Sequence, residues 1–147
     1  MTDATKQDAL RLFEELQAEL PHLVMHINPN NTDVEVSVDV PQQPGLAFDI
    51  HLNLQNGDER HLEVGAFWCS WFPSSDPEVV RKYHDAVTGV LTRRNRIVEY
   101  VRWGRTAGAD LEAPDSDGWK TIAKSRQGLF PVSWGATRRV VRNTGGV

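Results

Sequence analysis

Alternation of apolar and polar residues is the strongest signal along this chain, and it is cleanest between Leu46 and Trp68. Phe48-Asp49-Ile50-His51-Leu52-Asn53-Leu54 alternates, and so does His61-Leu62-Glu63-Val64-Gly65-Ala66. A period of two belongs to a strand with one buried face. Between the two runs, Gln55-Asn56-Gly57-Asp58-Glu59 carries an Asn-Gly pair suited to positive φ. A loop of Asn56 and Gly57 alone would set His51 against Leu62 and mix the faces. A longer loop centred on Gly57, of three residues or with a bulge, pairs Leu52 with Leu62 and Ile50 with Val64. That register is expected, because a one-residue slip turns every side chain over. It sets His51 opposite Glu63 and Asn53 opposite His61.

Asp33-Val34-Glu35-Val36-Ser37-Val38-Asp39-Val40 alternates without a fault, and the turn Pro41-Gln42-Gln43-Pro44-Gly45 follows. Pairing Val36 with Ile50 and Val38 with Phe48 sets Glu35 against His51. A first strand over 21–28 can face Leu23, Met25 and Ile27 toward Val38, Val36 and Val34, which sets His26 against Glu35. Asn28-Pro29-Asn30-Asn31-Thr32 is the intervening turn. A meander of four strands in these registers carries one cross-strand row: His26, Glu35, His51, Glu63.

Helical periodicity flanks the meander. Thr5 to Leu20 places Leu10, Phe13, Leu16 and Leu20 at helical steps, with Thr5 as the N-cap and Pro21 as the stop. Asp76-Pro77-Glu78 opens a second helix as cap, first-turn proline and dipole-compensating acid. Its stripe is Val79, Val80, Tyr83, Ala86, Val87, Val90 and Leu91. Gly89 interrupts the stripe at a cost of about 1 kcal/mol against alanine, which a close approach to the sheet would justify. Beyond it, 97–103 and 119–124 read as strands. Residues 104–118 read as a long acidic loop, and Gln127-Gly128 as a turn. Phe130-Pro131-Val132-Ser133-Trp134 reads as irregular or an edge strand, 138–142 as a short strand or a helical turn, and 143–147 as a loose tail. The expected fold is α+β in one domain over 1–147. It has a single antiparallel sheet, the four-strand meander plus two or three C-terminal strands, with two helices packed on one face.

The 147 residues suffice for a sizeable core; chains of this length bury roughly 68–70% of their unfolded surface. One cysteine, Cys69, excludes an internal disulfide framework and zinc-ribbon chemistry. No apolar run approaches the ~20 residues that span a bilayer, and the polar start from Met1 to Asp8 lacks the apolar segment of a signal peptide. A cytoplasmic protein is expected. The net charge of −4 hides a split. Residues 1–92 hold 5 Lys/Arg against 15 Asp/Glu, and residues 93–147 hold 11 against 5. Such asymmetry marks a partner surface, or two halves that lie together and partly cancel.

Candidate chemistry is sparse. Cross-strand neighbours sit about 4.5–5.5 Å apart at Cβ. The row of His26, Glu35, His51 and Glu63 could therefore act as acid–base groups or hold a divalent ion, or form a solvated sheet face whose charges aid pairing. Phe67-Trp68-Cys69-Ser70-Trp71-Phe72 is the most aromatic stretch. With Trp103 it suits a partner hot spot or a pocket wall, or a plug at the end of the core. Cys69 with His84 is a conceivable nucleophile pair, though free cysteines are mostly small buried hydrophobes. Asp115-Ser116-Asp117-Gly118 lacks the closing acid of a calcium loop and reads as a turn. Arg93, Arg94, Arg96, Arg102 and Arg105, interleaved with Tyr100 and Trp103, have nucleic-acid chemistry, which the overall negative charge opposes. No phosphate-cradling loop, Gly-x-Ser-x-Gly or His-Glu-x-x-His occurs, and no motif implies a metal or cofactor.

The element order resembles that of small α+β binding proteins such as secretion chaperones and toxin-immunity proteins. It implies a non-enzymatic module that binds another protein and is compatible with a homodimer. The alternative is a small-ligand protein or enzyme whose cleft is lined by Phe67, Trp68, Trp71 and Trp103, with His51 and Glu63 as the acid–base pair.

Overall fold

The computed structural model describes residues 3–126 and 135–141. Helix α1 (Asp3–Glu19) precedes strands β1 (His26–Asn28), β2 (Val36–Val40), β3 (Ile50–Gln55), β4 (Glu59–Val64) and β5 (Phe67–Trp71). Helix α2 (Pro77–Leu91) follows, then β6 (Arg96–Arg102), β7 (Arg105–Asp115), β8 (Gly118–Arg126) and β9 (Thr137–Val141). The fold is α+β, but the strands form two antiparallel sheets in place of the single one expected. The first is a five-stranded meander in chain order, and the second has the order β8-β7-β6-β9. The aromatic stretch, expected to follow the meander, is itself its last strand. The C-terminal strands pair among themselves, and β5 meets β7 and β8 by packing without joining their ladder.

One hydrophobic cluster joins these parts. It takes Ala9, Leu12, Phe13 and Leu16 from α1, and Val36, Val38, Ile50, Leu52, Leu62 and Phe67 from the first sheet. Tyr83, Ala86, Val87 and Val90 come from α2, and Ile97, Ala109 and Leu111 from the second sheet. Each fully buried Val, Leu, Ile or Phe contributes about 1.5–3 kcal/mol relative to exposure. Helix α1 meets the first sheet at β2 and helix α2 meets it at β5. The capping of α2 is as expected, with Asp76 Oδ1 accepting from the Glu78 amide at 2.9 Å and Pro77 first in the helix. Helix α1 begins at Asp3, so Thr5 lies within its first turn and is not the cap.

The β3–β4 register is as the alternation dictates. Ile50 pairs with Val64, His51 with Glu63, Leu52 with Leu62 and Asn53 with His61. The loop is Asn56-Gly57-Asp58, with φ of 54° at Asn56 and 71° at Gly57. The two earlier registers differ from expectation. Val36 pairs with Leu54 and Val38 with Leu52, so Asp39 stands opposite His51; His26 likewise pairs with Asp39. Glu35 therefore leaves the row. The slip is by an even number of residues, which keeps every side chain on its face, and alternation alone cannot detect it. The turn itself decides: Gln43 and Leu46 bridge each other around Pro44-Gly45, closing the β2–β3 connection further along than the sequence reading placed it.

The 104–118 segment is not a loop. It is all of β7, the turn at Ser116-Asp117 and the first residue of β8. Ala107 through Glu112 are all buried, as befits a central strand covered on both faces. Such a strand has no alternation to read. The expected strands at 97–103 and 119–124 are β6 and β8, and 138–142 resolves into strand β9. The turn at Gln127-Gly128, the segment Phe130–Trp134, Arg142 and the 143–147 tail lie outside the described residues.

Gly89 is explained by its neighbour. A Cβ there would sit 2.1 Å from Asn95 Nδ2, because Asn95 folds back onto the helix and its amide donates to the Gly89 carbonyl at 2.9 Å. The close approach is to this side chain at the entry to β6.

Candidate functional site

The outer face of the first sheet collects the polar half of every alternating strand. Its central row is His26, Asp39, His51, Glu63 and Trp68, one residue from each strand in turn. Asp39 Oδ1 lies 2.6 Å from His51 Nδ1, with both side chains about half exposed or more. Of the four residues expected in the row, His26, His51 and Glu63 are there and Glu35 is not. Glu35 reaches the hairpin tip instead, where its Oε1 accepts from the Gly57 amide at 2.9 Å. Among the described residues no three His, Cys, Asp or Glu side chains converge as a metal-binding group.

The neighbouring row is Asn28, Ser37, Asn53, His61 and Ser70. His61 is only 1% exposed although it lies on the outer face. The Trp68 ring covers it at 5.1 Å between centroids, and Gln55 Nε2 and Glu59 Oε2 lie 2.8 Å and 3.1 Å from its Nε2. Hydrogen bonds from Asn56 and then His61 hold the Glu59 carboxyl below its ordinary range. Trp68 is thus a braced side chain with 50% of its surface in solvent.

Charge on this face has one sign. Strands β1 to β5 contain Asp39, Glu59 and Glu63, and Arg60 is their sole Lys or Arg. Arg60 points the other way, since it shares a face with Leu62 and Val64, and it is buried. Burial pushes its guanidinium below the ordinary arginine value, opposed by the electrostatic influence of Tyr83 and Asp8.

The aromatics expected to act together are dispersed. Phe67 and Trp71 face the core side, with Phe67 fully buried and Trp71 edge-on to Tyr83 at 5.5 Å. Trp68 faces outward, and Phe72, just past β5, is 60% exposed. Trp103, in the β6–β7 turn, is 88% exposed. Alternation along β5 puts Phe67 and Trp68 on opposite faces, so a cleft lined by Phe67, Trp68, Trp71 and Trp103 is not formed. Cys69 is partly buried on the core side, which pushes its thiol above the ordinary cysteine value. His84 is directed to Glu19, 3.9 Å away, and not to Cys69.

Four arginines of the second sheet are paired with acids. Arg96 Nε donates to Glu112 Oε1 at 2.8 Å and its guanidinium lies 4.1 Å over the Trp119 ring. Arg138 lies 3.5 Å from the same carboxylate. Arg126 pairs with Asp110 at 2.7 Å, and the Tyr100 hydroxyl donates to the other Asp110 oxygen at 3.0 Å. Arg139 pairs with Glu99. Burial, then the bond to Asp110, raises the Tyr100 hydroxyl above its ordinary value. Each of these arginines answers an acid of its own C-terminal half. The two halves of the chain therefore do not cancel each other through these pairs.

No family model, curated protein or solved structure matches the chain. Among the described residues no helix is long and apolar enough to cross a membrane.

Proposed function

We propose that this chain is a cytoplasmic, non-enzymatic protein-binding module, chaperone-like or immunity-like, that receives a basic protein on the outer face of its first sheet. One observation carries the reading. Trp68 stands beside Glu63 in the row that also holds Asp39, and Glu59 shares their face, to which the five strands contribute no outward Lys or Arg. A braced, half-exposed tryptophan is the usual form of a binding hot spot. An acidic face steers a basic partner and fixes its orientation more than it adds affinity. The exposed histidines of the row sit where catalysis would have to proceed in open water, which favours recognition over chemistry. Nucleic acid is less favoured, since Arg96 of the arginine cluster already answers Glu112 and the chain is acidic overall.

The test is affinity capture from host lysate with wild type, Trp68→Ala, Asp39→Lys/Glu63→Lys and, as a control on the other sheet, Lys124→Glu. The reading expects one basic protein retained by wild type and Lys124→Glu and lost from the other two. Capture that is identical for all four, capture of an acidic protein, or self-association as the sole retained species contradicts it.

A further inference from the structure

We propose that the cleft between the N-terminal half of α1 and the start of α2 binds a small zwitterion of the amino-acid type, with Arg60 taking its carboxylate. The cleft has a volume of about 700 Å³, in the range of small-molecule sites. Thr5 and Leu12 of α1, Ser75 before α2, and Pro77 and Val80 of α2 line it together with Arg60. Arg60 is the most buried of these, at 2% exposure. It sits on the core face of β4, between Leu54 and Trp71 on the neighbouring strands. Its Nε donates to Ser74 Oγ at 2.8 Å, while its buried Nη1 has no hydrogen-bond partner.

A buried guanidinium without a full set of acceptors is poor design for stability alone, since an aliphatic side chain of similar volume packs better there. It suits a site whose acceptor arrives from outside. The planar fork of arginine matches a carboxylate, and the positive ends of two helices favour an anion at the same place.

The acids of the cleft narrow the ligand. Asp8, Arg11 and Glu15 also line it, and the charges of Asp8 and Arg11 offset each other. Asp8 is held by Arg11 Nη2 at 2.9 Å, which leaves Glu15 as the free negative wall. A dianion such as phosphate meets repulsion there. A carboxylate with an amine beside it satisfies Arg60 and Glu15 at once, and Leu12 and Val80 offer an aliphatic side chain its contacts. The site is on the core side of the first sheet, so it stands or falls independently of the partner surface.

The experiment is an NMR titration of the intact chain with L-leucine, isovalerate (no amine), isoamylamine (no carboxylate) and inorganic phosphate. The resonances followed are the Ser74 and Ser75 amides and the Arg60 Nε. Leucine should give saturable shifts, with isovalerate and isoamylamine each weaker by about tenfold, the equivalent of about 1.4 kcal/mol. Glu15→Gln, a change on the exposed side of α1, should abolish the preference for leucine over isovalerate. Arg60→Lys should weaken leucine binding at least as much; should that chain fail to fold, the ligand panel and Glu15→Gln decide. No saturable shift with any probe, phosphate binding more tightly than leucine, or a preference unmoved in Glu15→Gln overturns the proposal and leaves Arg60 a structural residue.

Discussion

Asp39 Oδ1 and His51 Nδ1 lie 2.6 Å apart across β2 and β3, and this contact fixes which acid belongs to the polar row. The pair is exposed, and surface pairs contribute only about 0–1 kcal/mol. Its value is diagnostic. Asp39→Asn should shift the His51 ring resonances in an NMR spectrum, and Glu35→Gln should leave them in place. The reverse pattern would restore the register with Glu35 opposite His51.

Glu35→Ala has a different expected effect. Glu35 accepts from the Gly57 amide in the β3–β4 loop, so removing the acceptor should speed amide exchange at Gly57 without altering the row. Exchange at Gly57 equal to wild type would mean that the bond does not brace the loop.

Gly89→Ala should destabilise the fold by about 2 kcal/mol, the range for forcing atoms into a packed interior. The reason is the 2.1 Å approach of the new Cβ to Asn95. Asn95 Oδ1 and Nδ2 are both buried without partners, so adding Asn95→Ala should recover much of the loss. Denaturant melts of the single and double variants check this, and strict additivity would contradict the assigned cause.

Glu112→Gln should cost about 3 kcal/mol, because it strips the counter-charge from a nearly buried Arg96. Arg138→Gln should cost far less, since Arg138 is half exposed and further from the carboxylate. Equal losses would show that the two arginines share the charge evenly.

Burial raises the Cys69 thiol, so its protonated form is the one the fold prefers. The stability this lends is fully present below the ordinary thiol range and is lost as pH rises through the raised folded value. Labelling by a disulfide reagent should be slower in the native chain than in denaturant, with the native rate still climbing at pH values where the unfolded rate has levelled. Matching profiles would contradict the burial.

How much of this was legible in the sequence depends on the kind of signal. The β3–β4 register was legible because Gly57 sits between two alternating runs and an odd slip would bury His51. The β1–β2 and β2–β3 registers were not, since an even slip preserves the faces, and for β2–β3 the deciding information lay in Pro44-Gly45. Strand β7 was illegible for the opposite reason: both its faces are covered, so Arg105–Asp115 shows no period and its Gly, Ala, Asp and Pro imitate a loop. Arg60 was within reach. Parity along Glu59–Val64 places it on the face of Leu62 and Val64, and an arginine at a core position is itself a signal. The dispersal of the aromatics also follows from parity, once Phe67–Trp71 is recognised as a strand.

The central claim, that a basic protein sits on the acidic face at Trp68, is tested most directly by placing a photo-crosslinking phenylalanine analogue at position 68 or at position 119 in the living host. The account predicts a discrete adduct with one basic protein from position 68, weakened when Asp39 and Glu63 are changed to Lys, and none of that adduct from position 119. No discrete adduct from position 68, or the same adducts from both positions, would contradict it.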